Sequence, residues 1–249
     1  MEYFTNYQLV NGVEAEAFCK SESIKRQSLL RRDGGDMSLE LADVLGMCTS
    51  IEPCNNPACQ VCNTRNRLEK NKELLARVYG DENYYKLVTL YYYSEAMDDL
   101  DFSDWDVRDF KNRVYENFEE IQFEGIADGW IEYNFDQRSW MWVPSIKLVM
   151  TEDKASLKIL NERVKSEPVN RCFHSFIESV MIVEEINDFE KVFSNDHTSM
   201  AKMIDKYEDI SGKEKVDRYP LEPKRAVLSY LMQGQKELSD FYFTYENWS

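Results

Sequence analysis

Four cysteines within fifteen residues, Cys48, Cys54, Cys59 and Cys62, constrain this chain more than any other feature. The Cys54-x4-Cys59-x2-Cys62 spacing sets two thiolates on a tight knuckle with a third close by. Cys48 completes a four-thiolate set of the kind that structural zinc occupies. Pro53 and Pro57 stiffen the loop. So polar a loop buries too little apolar surface to fold by itself, and a bound ion would organise it. The expectation is a structural zinc ion on Cys48, Cys54, Cys59 and Cys62. Two other readings stay open: unligated thiols, and an iron–sulfur cluster of plant-type spacing, which needs a distant fourth cysteine; downstream there is Cys172. The chain has six cysteines and no signal-like N-terminus, which favours metal ligation or free thiols over a disulfide framework.

The 249 residues suffice for one large domain or one domain plus a small module. No window approaches the roughly 18 consecutive apolar residues that a spanning helix needs. The expectation is a soluble, cytoplasmic protein with no membrane partner. A net charge of -16 opposes simple DNA binding, because phosphates supply most non-specific affinity. The charge is uneven, however. Residues 1 to 80 carry 10 Lys/Arg against 11 Asp/Glu, whereas 95 to 136 carry 14 acidic residues against three basic ones. The N-terminal third can therefore touch nucleic acid while the acidic stretch faces solvent or a basic partner.

Two organisational regions follow. Residues 1–80 read as an N-terminal extension: a polar, partly helical stretch from Glu14 to Leu45 with a basic cluster of Lys25, Arg26, Arg31 and Arg32, then the cysteines, then a helix from Thr64 to Tyr79 bearing Arg65, Arg67, Lys70, Lys72 and Arg77. Residues 81–249 read as an α+β domain with a C-terminal helical extension. Tyr84 to Tyr93 is strand-like in its aromatic and β-branched content. Ser103 is the expected N-cap of a helix over Asp104 to Gln122. Trp130–Phe135 and Ser139–Met150 form a predicted hairpin, with Trp140, Trp142, Ile146 and Leu148 on one buried face. Thr151 is the expected cap of a helix over Glu152 to Lys165. A further strand or buried element falls within Phe173 to Ile186. Short helices are expected from Asp196 or Thr198 to Tyr207 and around Arg225 to Gln235. This order fits a small antiparallel sheet covered by helices.

The run Trp142, Val143, Pro144, Ser145, Ile146, Lys147 resembles the Trp-His-Pro-His-x-His strand of the HUH endonuclease superfamily, the rolling-circle replication initiators and related transposases. The resemblance extends in order along the chain. Cys59 and Cys62 with Arg65 and Arg67 are similar to the family's knuckle and arginine-rich helix. Val88, Thr89 and Leu90 match its first sheet strand, and Gly129, Trp130, Ile131 and Glu132 its glycine-aromatic strand with a glutamate. Lys206 and Tyr207 stand where its nucleophilic tyrosine is expected. The resemblance implies a ferredoxin-like (RRM-like) sheet behind a zinc knuckle. It further implies recognition of DNA, with single strands among the candidate forms, and a protein partner from the same mobile element. Arg65, Arg67, Lys70, Lys72 and Lys147 are then the DNA-binding candidates.

The departures matter equally. Ser145 and Lys147 stand where the family has its two cation-binding histidines; a hydroxyl is a poor ligand and an ammonium repels a cation. The sequence thus has no evident means of polarising a scissile phosphate, and no catalytic residue is assigned. Tyr207 is the remaining nucleophile candidate, and needs activation that the sequence does not supply. Lys147 can pair with Glu132 across the hairpin or contact a phosphate. His174 and His197 fall in no ligand spacing. Tyr84, Tyr85, Tyr91, Tyr92 and Tyr93 divide between core packing and base stacking. The leading expectation is an inactivated HUH-like DNA-binding or replication accessory protein. The alternative is an acidic interaction or DNA-mimic protein acting through residues 95–136. A third is a nuclease with rearranged ligands, Glu132 and Asp136 with Tyr207.

Overall fold

In the computed structural model, which describes residues 2–5, 8–49, 51–78, 84–136, 139–169, 179–186 and 238–247, the chain divides into two units. One is drawn from Met1–Arg77 and Glu190–Ser239, the other from Val78–Phe189 and Asp240–Ser249. Tyr207, Cys172, both histidines and the helices expected near Tyr207 and Arg225 lie outside the described residues.

The first unit pairs a short hairpin, β1 (Glu2–Thr5) with β2 (Gln8–Asn11), ahead of three helices: α1 (Gly12–Asp33), α2 (Asp36–Met47) and α3 (Gln60–Arg77). The glycine pair at 34 and 35 separates α1 from α2, and Gly34 adopts the positive φ that this sharp exit requires. The buried stripe of α1 is Cys19, Ser23, Arg26 and Leu30. These positions have clean helical spacing, yet only one carries an aliphatic side chain. Ser38, Gln60, Asn63 and Thr64 are also buried, so the interior of this unit is unusually polar.

The second unit holds a five-stranded antiparallel sheet in the order β6-β3-β5-β4-β7, with β3 at Tyr85–Tyr91, β4 at Gly125–Asp136, β5 at Met141–Thr151, β6 at Met181–Glu185 and β7 at Tyr242–Asn247. All four strand pairs are antiparallel. Helices α4 (Asp99–Asp104) and α5 (Val107–Glu120) follow β3, and α6 (Lys154–Ser166) follows β5. Where a single helix capped by Ser103 was expected, there are two. Asp98 accepts from the backbone N–H groups of Leu100 and Asp101, and Asp106 from that of Arg108.

One face of the sheet is an aromatic core. Trp142 stacks on Phe102 of α4 at 4.4 Å, Tyr92 meets Phe110 of α5 edge-on at 5.0 Å, and Phe118 packs on Phe243 and Tyr245 of β7. Val107, Phe110, Val114 and Phe118 supply the helical stripe. Ile146 and Leu148 are buried beside Trp142, but Trp140 does not join them. It sits in the hairpin turn at φ 58 and is 53% exposed, so the alternation of β5 begins only at Met141. Among the described residues β6 lies at the sheet edge and is exposed along most of its length. It is tied to β3 by Lys86, whose ammonium is 2.5 Å from Glu185 and 3.1 Å from Glu152.

The cap of α6 is Asp153 rather than Thr151. Its carboxylate accepts from the N–H groups of Ala155 and Ser156 at 3.0 and 3.2 Å, and from the Ser156 hydroxyl. Bonding to that hydroxyl and to the two amides holds its pKa below the usual carboxylate range. Asp153→Ala is therefore expected to lower stability by about 1 kcal/mol at neutral pH. Because the folded-state pKa is depressed, this stabilisation is complete above the unfolded pKa of about 3.9 and is lost as pH falls through the folded value. Denaturant titrations of both proteins at neutral and strongly acidic pH check this: the difference must shrink in acid.

Candidate metal centre and polar sheet face

Cys48 leaves the end of α2, Cys54 lies in the loop, Cys59 immediately precedes α3 and Cys62 lies in its first turn. Their four sulfurs all lie within 4.8 Å of one another. Cys48 Sγ is 3.5 Å from the sulfurs of both Cys59 and Cys62, and Cys54 Sγ is 3.9 Å from that of Cys62. Sulfurs held at about 2.3 Å by one tetrahedral ion stand about 3.8 Å apart, so these separations fit a single ion. A cluster with two or four irons spreads its cysteines over different metal atoms and needs wider separations. None of the four is in a disulfide.

The loop is shaped for negative sulfur. Asn55 takes a left-handed φ of 50, a conformation that asparagine tolerates better than most residues. The N–H groups of Asn56, Cys62 and Asn55 donate to the sulfurs of Cys54, Cys59 and Cys62 respectively. Hydrogen bonds from the Cys54 and Cys59 thiols hold the Cys62 sulfur well below the usual thiol range, while bonds to Cys54 and Cys62 push Cys59 up. Cys59 and Cys62 are buried and Cys48 and Cys54 half-buried. Behind the knuckle, the Arg26 guanidinium of α1, 1% exposed, donates to the Ala58 carbonyl at 2.9 Å, and Asn63 donates to that of Pro57. Cys19 donates to Thr64 Oγ1 at 3.2 Å. These bonds tie the thiol loop to α1 and α3. The role of Arg26 was not legible in sequence, where it reads as part of a basic surface cluster with Lys25 and Arg31. Arg31 instead pairs with Asp43 at 2.6 Å.

The basic positions of α3 do not form one surface. Arg65 and Lys72, seven residues apart, share a side, while Lys70 stands about 140° round the helix from Arg65 and pairs with Glu73 at 2.5 Å. Position 67 falls on the same helix.

In the sheet unit, the face opposite the aromatic core mixes polar side chains with apolar ones such as Val143 and Val149, and most of it is buried. Cross-strand partners share a face, so Tyr91, Ser145 and Glu132 form one row, and Thr89, Lys147 and Trp130 the next. Ser145 is fully buried and its hydroxyl accepts from Asn134 Nδ2 at 2.9 Å. Lys147 faces Trp130 rather than Glu132. The Glu132 carboxylate accepts the Trp130 indole N–H at 2.8 Å, and among the described residues Lys147 forms no ion pair with it. Asp136 accepts from Ser139 in the hairpin turn and lies four residues along the strand from Glu132, about 13 Å away. Glu132 and Asp136 are therefore too far apart to share an ion, and the rearranged-ligand arrangement is not formed. Of the tyrosines, Tyr85 and Tyr92 are core residues and Tyr84 is exposed. Tyr91 and Tyr93 are half-buried with ring centroids 6.3 Å apart.

No helix among the described residues is long and apolar enough to cross a membrane. No protein-family model matches the chain, and no curated protein or solved structure matches it either.

Proposed function

We propose that this chain is a nucleic-acid-binding protein built on a ferredoxin-like sheet of the HUH kind, with the nuclease ligands replaced and with a structural zinc ion organising its N-terminal unit. The observation that carries the reading is the placement of Ser145 and Lys147. They stand two residues apart on β5, on the same face as Glu132, which is where the family resemblance expects its cation ligands. The strand order β6-β3-β5-β4, with helices after β3 and β5, supports the ferredoxin-like assignment, β7 being an addition beside β4. Four sulfurs at tetrahedral separations with amide donors aimed at them support zinc, whose full-shell structural sites are commonly all-thiolate. In this reading the Lys147 ammonium takes over the neutralisation of phosphate that a cation would supply, so the protein binds strands without cutting them. A replication or transposition partner is the context that the resemblance implies.

The test joins elemental analysis of the purified chain to a titration with single- and double-stranded DNA at low and moderate salt. About one zinc per chain is expected, with DNA binding that weakens as salt rises. Lys147→Gln should weaken binding uniformly across sequences and reduce the salt slope by about one contact. Absence of DNA binding at low salt by the metal-loaded chain would overturn the reading. The acidic surface of α4 and α5 would then become the principal candidate for partner capture; its Arg108 and Arg113 are already paired with Asp240 and Glu95.

A further inference from the structure

Strand β6 ends the sheet on one side, and the register fixes which of its backbone groups point outward. The Tyr91 N–H donates to the Val180 carbonyl and the Tyr92 N–H to that of Pro144. In an antiparallel ladder the bonded positions alternate, so Leu87, Thr89 and Tyr91 bond toward β6, and Lys86, Val88 and Leu90 toward β5. On β6, Ile182 and Glu184 therefore turn their N–H and C=O groups to β3, and Met181, Val183 and Glu185 turn theirs away from it. The Ser179 hydroxyl answers for Met181, accepting from its N–H at 3.2 Å and donating to its carbonyl at 2.6 Å. Among the described residues nothing bonds the outward groups of Val183 and Glu185. Each of the two offers one donor and one acceptor to an incoming strand.

The side chains of β6 limit what can pair there. Ile182 and Val183, on opposite faces, are each 43% exposed, although β-branched residues favour covered strand positions. Glu184 and Glu185 follow, and both are exposed. The Lys86 ammonium serves Glu185 and Glu152 together, and Glu184 has no ion pair among the described residues. The edge is thus apolar where it starts and anionic where it ends. Opposite charges facing each other across two strands stabilise the pair, and like charges destabilise it.

Independently of DNA binding, we propose that the β6 edge docks an extended, basic segment of a partner protein, which joins the sheet as an added strand. Its main chain bonds to the outward groups of Val183 and Glu185, its apolar residues cover Ile182 and Val183, and its lysines or arginines meet Glu184 and Glu185. Strand addition of this kind draws affinity from main-chain hydrogen bonds and specificity from the side chains beside them. The two glutamates supply that specificity, because an acidic segment would set its charges against theirs and only a basic one compensates them.

Fluorescence anisotropy on the full, metal-loaded chain at low salt tests this, with a labelled peptide in which two valines adjoin two lysines. Two further peptides serve for comparison: one with glutamates in place of the lysines, and one with the valine and lysine amides N-methylated, which keeps the charge and removes the main-chain donors. The basic peptide should bind, and each of the others should bind at least roughly tenfold more weakly. Val183→Pro removes an outward N–H and no bond to β3, at a kind of position where edge strands accept proline, and should abolish binding with the tryptophan fluorescence of the sheet unit unchanged. Glu184→Lys, which leaves the backbone as it is, should weaken the basic peptide roughly tenfold. Equal binding of the basic peptide and either of the others overturns strand addition at this edge, as does undiminished binding by either variant. Failure of the wild type to bind the basic peptide overturns it too, and leaves the DNA-binding reading untouched.

Discussion

Stripping the metal with a strong chelator, or replacing one ligand as in Cys59→Ser, is expected to unfold the helical unit while the sheet unit stays folded. The two cohere by different chemistry. Inside the sheet unit buried aromatics pack on one another, Trp142 on Phe102, Phe110 on Tyr92, and Phe118 on Phe243 and Tyr245. In the helical unit the buried stripe of α1 includes Cys19, Ser23 and Arg26, and Gln60, Asn63 and Thr64 line α3. Leu30, Leu41, Leu45 and Leu74 are buried beside them, yet so mixed an interior gives less hydrophobic stabilisation than the aromatic core, whereas a structural zinc ion contributes on the order of 10 kcal/mol or more. The Arg26 to Ala58 bond carries the loss from the thiol loop directly to α1. The measurement is built into the sequence: none of the five tryptophans precedes residue 105, so indole fluorescence does not report on the first unit. The far-UV helical signal should fall sharply on chelation, because α1, α2 and α3 hold most of the described helical residues. Tryptophan fluorescence should barely change. Loss of both signals together, or of neither, would refute a metal-organised unit.

Gly129→Ala should be the most damaging small substitution in the sheet, lowering stability by about 3 kcal/mol. A Cβ at this position would stand 1.8 Å from the Lys147 carbonyl oxygen and 2.9 Å from Leu148 Cα. Both are backbone atoms, so no side-chain rotation relieves the overlap and β4 must separate from β5 where Gly129 pairs with Leu148. The damage would fall beside Lys147 and Trp130, so strand separation should also disturb the face they share. Urea unfolding followed by tryptophan fluorescence would measure it; a change below about 1 kcal/mol would show that the two backbones can move apart without cost.

Much of the sheet was legible because its signals are local. The β4–β5 hairpin, the β3 strand and α6 follow from alternation, aromatic content and capping residues. The division of 99–120 into two helices was not, since this stretch offers several aspartates that can each cap, and the extended backbone of Asp106 decides which one does. β7 was missed although Phe243 and Tyr245 are buried at a spacing of two residues, because the chain's final segment was read only as far as its helical signal. The cysteine spacing foretold a cluster of four sulfurs. It could not foretell the supporting shell, because a buried arginine on a polar helix has no hydrophobic signature. Of the two roles open to Lys147, the pair with Glu132 is not formed: Trp130, opposite Lys147, donates its indole N–H to that carboxylate.

The outer edge of the sheet has a consequence for how molecules of this protein meet one another. β6 exposes Ile182 and Val183, a β-prone pair of the sort that recruits a neighbouring strand, but Glu184 and Glu185 follow immediately. Two copies approaching edge to edge bring these carboxylates together, and Lys86 on the neighbouring strand is committed to Glu185 and Glu152 of its own chain. The strand thus carries, directly beside its β-prone pair, the charges that oppose edge-to-edge association.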